Sequence, residues 1–268
     1  MGPLVRANLV KQRLMAGLPV LTLRVLQSRT AEIIRIAKTS GHHGVLLDLQ
    51  HSSMSLDTCC QLASAALDAG ITPIVRVAAD MAPTAAAALD GGAQALLLPG
   101  IETAEAAVAA IRALRYPPTG CRSVSAALPH SGYVKSPAVD LTRALDAETL
   151  ILVQIESRRA VENAAAIAAV DGIDALVTGT NDLCAEGGLF LPHDHPEILE
   201  MHARLIDICR QEGIPLVAGG IGNRQIMARY LAMGSAPLFL TGSDLDFLID
   251  GSRNAAAAFA ELTPEAAI

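Results

Sequence analysis

Val25-Leu26-Gln27-Ser28-Arg29-Thr30, the turn that follows the first apolar run of the chain, contains no glycine. That absence decides between two architectures. Apolar, strand-like runs near 20–25, 44–49, 72–77, 95–99, 150–155, 173–177, 215–218 and 237–241 alternate with amphipathic, alanine-rich stretches near 30–40, 55–69, 83–90, 103–113, 158–168, 196–212, 223–232 and 244–261. Such alternation predicts a parallel sheet covered by helices. An open doubly wound sheet would carry a glycine-rich fingerprint in its first turn. A closed ring of eight strand–helix units needs none, and eight units are present. The expected fold is an α/β chain folded as one (β/α)₈ barrel. Gly70, Gly172 and Gly213 stand just before expected strands, where a helix-terminating glycine belongs.

The 268 residues are enough for one such barrel and read as a single domain over 1–268, with the C-terminal helix free for contacts between subunits. Hydrophobic residues at 51% and charged residues at 18% suit a packed domain rather than a disordered chain. Alanine runs such as 85–88 allow close packing on the sheet or on another subunit, so an oligomer is expected. A net charge of −7, aromatics at 3% and no basic stripe exclude a nucleic-acid partner. The first residues resemble neither a signal peptide nor a myristoylation site, and no apolar run could span a bilayer; the expected location is the cytoplasm, with no membrane partner. Five cysteines without C-x-x-C spacing read as reduced thiols. Cys121 and Cys184, near the expected site, are read as buried and inert.

Polar residues gather where the apolar runs end. Asp48-Leu49-Gln50-His51 follows the second run, Arg76 the third, Gln154-Ile155-Glu156 the fifth and Gly179-Thr180-Asn181-Asp182 the sixth. In a barrel these ends share one face, which carries the chemistry. Glu156 and Asp182, from consecutive strands and without matching Cys or His ligands, suit a hard divalent cation. The plainer roles are a solvent-facing glutamate and a helix N-cap. A short turn opening a helix at 179–182 would also hold a carboxylate. Arg76 either pairs with a structural acid or stabilises an oxyanion. Asp48 beside His51 would fix the imidazole tautomer for acid–base work, although a lone histidine after a strand is more often structural. His42 and His43, at the other end of the strand, read as structural, and His193 and His195 lack a third ligand for zinc. Two long segments, 116–137 and 184–196, are read as loops on the chemical face with lid or selectivity roles.

Taken together, several stretches resemble the HpcH/HpaI aldolase/citrate lyase family, metal-dependent aldolases of the 4-hydroxy-2-oxoheptanedioate type. They are Asp48-Leu49-Gln50-His51, Pro73-Ile74-Val75-Arg76-Val77, Leu98-Pro99-Gly100-Ile101-Glu102-Thr103, Arg115-Tyr116-Pro117-Pro118, Val153-Gln154-Ile155-Glu156, Val170-Asp171-Gly172-Ile173-Asp174 and Gly179-Thr180-Asn181-Asp182-Leu183. The resemblance implies a TIM barrel of the phosphoenolpyruvate/pyruvate type, assembled as a hexamer with terminal helices exchanged. It implies Glu156 and Asp182 as ligands of Mg²⁺, Mn²⁺ or Co²⁺, and Arg76 as the cation that stabilises an enolate. His51, supported by Asp48, is the implied acid/base; Gln154 is a site residue near the metal, and the backbone at Asn181 and Asp182 is a pyruvate-carboxylate cradle. The implied reaction is reversible cleavage of a 4-hydroxy-2-oxo acid to pyruvate and an aldehyde through a pyruvate enolate on the metal. No lysine stands at a suitable strand end for a Schiff base.

Three residues depart from the family pattern. Gln50 replaces a glutamate beside the proposed base, and Gly100 replaces a bulkier residue, which would widen the pocket. Arg24 appears on the first strand; reaching the mouth, it would select a carboxylate-bearing substrate. Two alternatives stay open: an oxaloacetate decarboxylase or related enolate-forming lyase, and a non-catalytic barrel that binds a keto acid.

Overall fold

A computed structural model describes residues 4–78, 82–188 and 190–260. Eight parallel strands form the barrel: β1 (Val20–Val25), β2 (Gly44–Asp48), β3 (Thr72–Arg76), β4 (Ala95–Leu98), β5 (Leu150–Ile155), β6 (Ala175–Gly179), β7 (Leu216–Gly219) and β8 (Leu238–Ser243). Their order is β7-β6-β5-β4-β3-β2-β1-β8, so sequence neighbours are spatial neighbours and β8 returns to β1. The ring is nearly closed: β7 meets the approach to β8 through one isolated bridge, Val217 to Ala236.

Side-chain alternation sorts the strands into two cores. Val45, Leu47, Val75, Leu96, Ile151, Val153 and Leu176 point outward and pack under the helices. Leu46, Ile74, Leu97, Leu152, Val177 and Val217 point inward and fill the barrel. A period of two along each strand produces this division. The helix Leu9–Met15, which the apolar pattern does not predict, plugs the lower end by adding Val10 and Leu14 to the inner core. Its Asn8 cap is fully buried and donates to the carbonyls of Gln94 and Glu148 at 3.0 and 2.9 Å.

The strand-bounding turn after β1 lacks glycine because another group satisfies it. The Asp244 carboxylate accepts from the N–H groups of Leu26 at 2.8 Å, Gln27 at 3.1 Å and Ser28 at 2.6 Å. Gly70 and Gly213 cap helices in the left-handed region as expected, whereas the helix near Gly172 ends earlier, at Ala168.

The segment 116–137 does not sit over the chemical face. It follows the helix Ala104–Leu114, which runs back toward the lower end of the barrel. There the Arg6 N–H donates to His130 O at 2.9 Å, the His130 ring bonds Ala93 O just before β4, and Tyr116 and Leu128 pack with Val5. A lid role for it is therefore excluded by its position after a helix rather than after a strand. The helix Ala138–Glu148 that completes this connection was also not anticipated.

The C-terminal helix Asp244–Ala260 has no buried residue and exposes Phe247, Leu248, Ile249 and, at 72%, Phe259. A groove of about 250 Å³ remains between its first turns, Leu23 of β1 and the helix Glu32–Thr39. No helix among the described residues is long and apolar enough to cross a membrane.

Candidate active site

A cavity of about 190 Å³ opens at the C-terminal ends of the strands. Its floor is apolar, including Leu46, Ile74, Leu152 and Leu238, and its rim is polar. His51, Arg76, Gln154, Asn181 and Asp182, all singled out from the sequence, line it together, and so does Arg24. Asp48 lies just behind this rim with no exposed surface.

Asp48, Arg24 and Arg76 form a belt across β1, β2 and β3. The Asp48 carboxylate accepts from Arg24 Nε at 2.8 Å and Arg76 Nε at 3.0 Å, and Arg76 Nη2 makes a further short contact. Its Oδ1 also accepts the backbone N–H groups of Gln50 at 3.0 Å and His51 at 3.1 Å. Burial alone would raise its pKa, but hydrogen bonds and charge from Arg76, then Arg24, outweigh that and hold it at about 2.

The sequence reading set this carboxylate against the His51 imidazole. Asp48 instead fixes the His51 backbone, because two guanidinium groups on adjacent strands are stronger partners for a buried carboxylate. The exposed His51 ring has no protein hydrogen-bond partner among the described residues. The side-chain Oε1 of neighbouring Gln50 is buried and also unpartnered there.

Glu156 follows β5 and, unlike Gln154 and Asp182, stands beside the cavity rather than in its lining. Its carboxylate accepts the Gly100 N–H at 2.8 Å and the Gln154 amide. Gly100, at φ +71°, adopts a conformation that a side chain would disfavour. It lines a separate apolar space, so its small size does not widen the main cavity. Burial is the largest influence raising the Glu156 pKa, and the nearby Asp182 charge adds to it.

Gly179 makes this corner possible. A Cβ there would stand 2.5 Å from Glu156 Cβ and 2.9 Å from Gln154 Nε2. Two repelling oxygen donors fit a divalent cation, whose charge would relieve the repulsion and whose other positions water and substrate would fill. Among the described residues no three or more His, Cys, Asp or Glu side chains gather as a closed metal site would require.

Sequence reasoning gave His193 no role at the site, yet its Nε2 bonds Asn181 Oδ1 at 2.8 Å. Its carbonyl accepts from the buried Tyr230 hydroxyl at 2.6 Å, which ties the segment after β6 to the helix Arg224–Met233. Asparagine at 181 opposite a loop histidine was the available signal. His195 only caps its own helix, while His42 and His43 make structural bonds, as expected. All five cysteines are free; burial raises the Cys184 pKa, whereas Cys121 is exposed rather than buried.

An eight-stranded barrel whose strand ends bring a basic belt and an acidic corner to one cavity has the build of a barrel enzyme. Residues 24–249 match the family model described as HpcH/HpaI aldolase/citrate lyase. The chain is 35% identical to a 4-hydroxy-2-oxo-heptane-1,7-dioate aldolase of Klebsiella pneumoniae, over 94% of each chain. It is 32% identical to a hydroxypyruvate/pyruvate aldolase of Cupriavidus necator, over 90% of this chain and 88% of that one. The fold superposes on an HpcH/HpaI aldolase from Desulfitobacterium hafniense with a TM-score of 0.87 at 24% identity, covering 97% of this chain and 99% of that one. The chain belongs to the HpcH/HpaI aldolase/citrate lyase family and is a carbon–carbon lyase.

Proposed function

We propose that the protein is a divalent-metal-dependent aldolase that reversibly cleaves a 4-hydroxy-2-oxo acid to pyruvate and an aldehyde. One observation carries this reading: a basic belt lines a cavity at the strand ends together with Asp182, whose charge repels Glu156, a carboxylate held just beside the cavity by the lining residue Gln154. The names of the Klebsiella and Cupriavidus relatives support the substrate class.

Glu156 and Asp182 would hold Mg²⁺ or Mn²⁺, with Gln154 fixing Glu156. The bound cation supplies Lewis acidity toward the 2-oxo acid. The first N–H groups of the helix Thr180–Ala185, including those of Asn181 and Asp182, lack intrahelical acceptors and would receive the pyruvate carboxylate. His51 would take the C4 hydroxyl proton, directly or through a water. As that hydroxyl becomes the aldehyde carbonyl, the C3–C4 bond breaks and its electron pair enters the C2–C3 enolate. Arg76, held by Asp48, would stabilise the oxygen at C2, and protonation at C3 then releases pyruvate.

Proton NMR of pyruvate in D₂O tests this reading. The methyl signal should decay with protein and Mg²⁺ or Mn²⁺, and persist with EDTA or with Arg76→Met. No exchange with either metal would refute the enolate reading.

The decarboxylase alternative is favoured by the His51 ring, which Asp48 does not brace. His51→Ala should lower aldol cleavage at least about a hundredfold while sparing oxaloacetate decarboxylation. Equal loss of both would reject that division of roles.

We also propose a homo-oligomer, of which a hexamer is the form the resemblance implies. The apolar helix Asp244–Ala260 would cover the groove beside β1 of a second copy. Phe247→Asp with Leu248→Asp should reduce the particle mass seen by light scattering. An unchanged mass would mean that the helix does not carry the assembly.

A further inference from the structure

β1 delivers a second guanidinium to the cavity. Arg24 points inward beside Thr22 and lines the mouth. Its Nε and Nη2 bond Asp48 Oδ2, but that carboxylate is already shared with Arg76 and with two backbone N–H groups. One carboxylate therefore faces two cations, and one positive charge remains at this wall. Arg24 Nη1 has no acceptor among the described residues, and the side chain keeps 23% of its surface exposed against 11% for Arg76. A charge held at an apolar cavity wall gains strongly from an anionic partner.

The ring order places the two arginines differently. β3 lies two strands from β5, and β1 lies two strands further along the same order. Because the Nη2 groups of Arg24 and Arg76 both reach Asp48 Oδ2, the two guanidinium groups stand side by side, Arg24 on the side away from β5. A substrate held at its 2-oxo acid end by the β5–β6 corner would meet Arg76 near the reacting carbons, and its far end would extend past Arg76 toward Arg24.

We propose that Arg24 is the specificity-determining residue for that far end, selecting 2-oxo acids that terminate in a carboxylate over neutral ones of equal length. This rests on the enolate reading for which end of the substrate lies where.

The test uses the full chain with Mg²⁺ and calorimetric titration of 2-oxoglutarate and 2-oxopentanoate, which differ in length by no carbon and only in the terminal group. The wild type should bind the diacid at least about tenfold more tightly. Arg24→Met should bring the ratio of the two dissociation constants to within about twofold, and Arg24→Lys should keep part of it. An unchanged ratio in Arg24→Met, or equal weakening of both ligands, would overturn the proposal and leave Arg24 as a brace for Asp48. So would no preference, or no binding of either acid, by the wild type. Pyruvate methyl exchange on the same wild-type protein separates the two readings: without exchange but with a preserved diacid ratio, the enolate chemistry falls and the anion selectivity stands.

Discussion

Asp48→Asn is expected to destabilise the protein by about 3–5 kcal/mol, because two partly buried guanidinium groups lose their shared counter-charge. Asparagine keeps the shape and one acceptor oxygen but cannot balance Arg24 and Arg76. Turnover should fall at least about a hundredfold as Arg76 leaves its position. Urea denaturation at pH 7 measures the first effect, and a difference under about 1 kcal/mol would show that the belt is not structural.

The pH dependence has a definite sign. Asp48 has a folded pKa of about 2 against an ordinary 3.8, so the folded state favours its charged form. The resulting stabilisation, roughly 2 kcal/mol, is fully present above pH 4 and is lost as pH falls from about 4 through 2. The gap between wild type and Asp48→Asn should therefore stay level from pH 7 to 5 and narrow below 4. A gap that widens on acidification would reverse the assignment of charge.

Gly179→Ala should be a strongly damaging one-methyl change at the mouth. The added carbon would stand 2.5 Å from Glu156 Cβ and 3.2 Å from Glu156 Cα, backbone that cannot swing aside. Either β5 and β6 separate, at about 1–3 kcal/mol for overpacking, or the Glu156 carboxylate moves away from Asp182. A displacement near 1 Å lowers turnover on the order of a hundredfold. Comparing pyruvate methyl exchange and melting temperature with those of Gly222→Ala, where the added carbon meets nothing within 4 Å, isolates the effect. Equal behaviour of the two variants would contradict the crowding argument.

The eight strands were legible because each is a short, largely apolar run, and four of them lead straight into polar residues. The seven positions named for the site line the cavity or, as Asp48 and Glu156 do, stand beside it for the same reason: a barrel gathers its strand ends. What the sequence could not convey was pairing across strands. Asp48 lies three residues from His51, and local spacing favoured that partner, yet Arg24 and Arg76 reach it through β1 and β3. The direction of 116–137 was misread because the preceding helix, Ala104–Leu114, reverses the chain before the Pro- and Gly-rich stretch begins. Leu9–Met15 was overlooked because it is too short for strong periodicity; only Asn8 and the Val10–Leu14 spacing mark it. His193, weighed only as a zinc ligand, had no other role legible in the sequence because its partner, Asn181, is twelve residues away on another segment.

Of the eight barrel strands β1 leaves the ribosome first and β8 last, and they are hydrogen-bonded neighbours. Until residues 238–243 emerge, the nascent chain can form at most an open seven-stranded sheet with two bare edges. The pairing that shuts it joins positions more than two hundred residues apart, such as Val20 with Leu238, a separation that slows closure. Arg24 itself pairs with Ser243, so the basic belt acquires its final neighbour only at that moment. During synthesis the exposed edges are thus the hazard, and the chain is most prone to aggregate just before it becomes competent to bind.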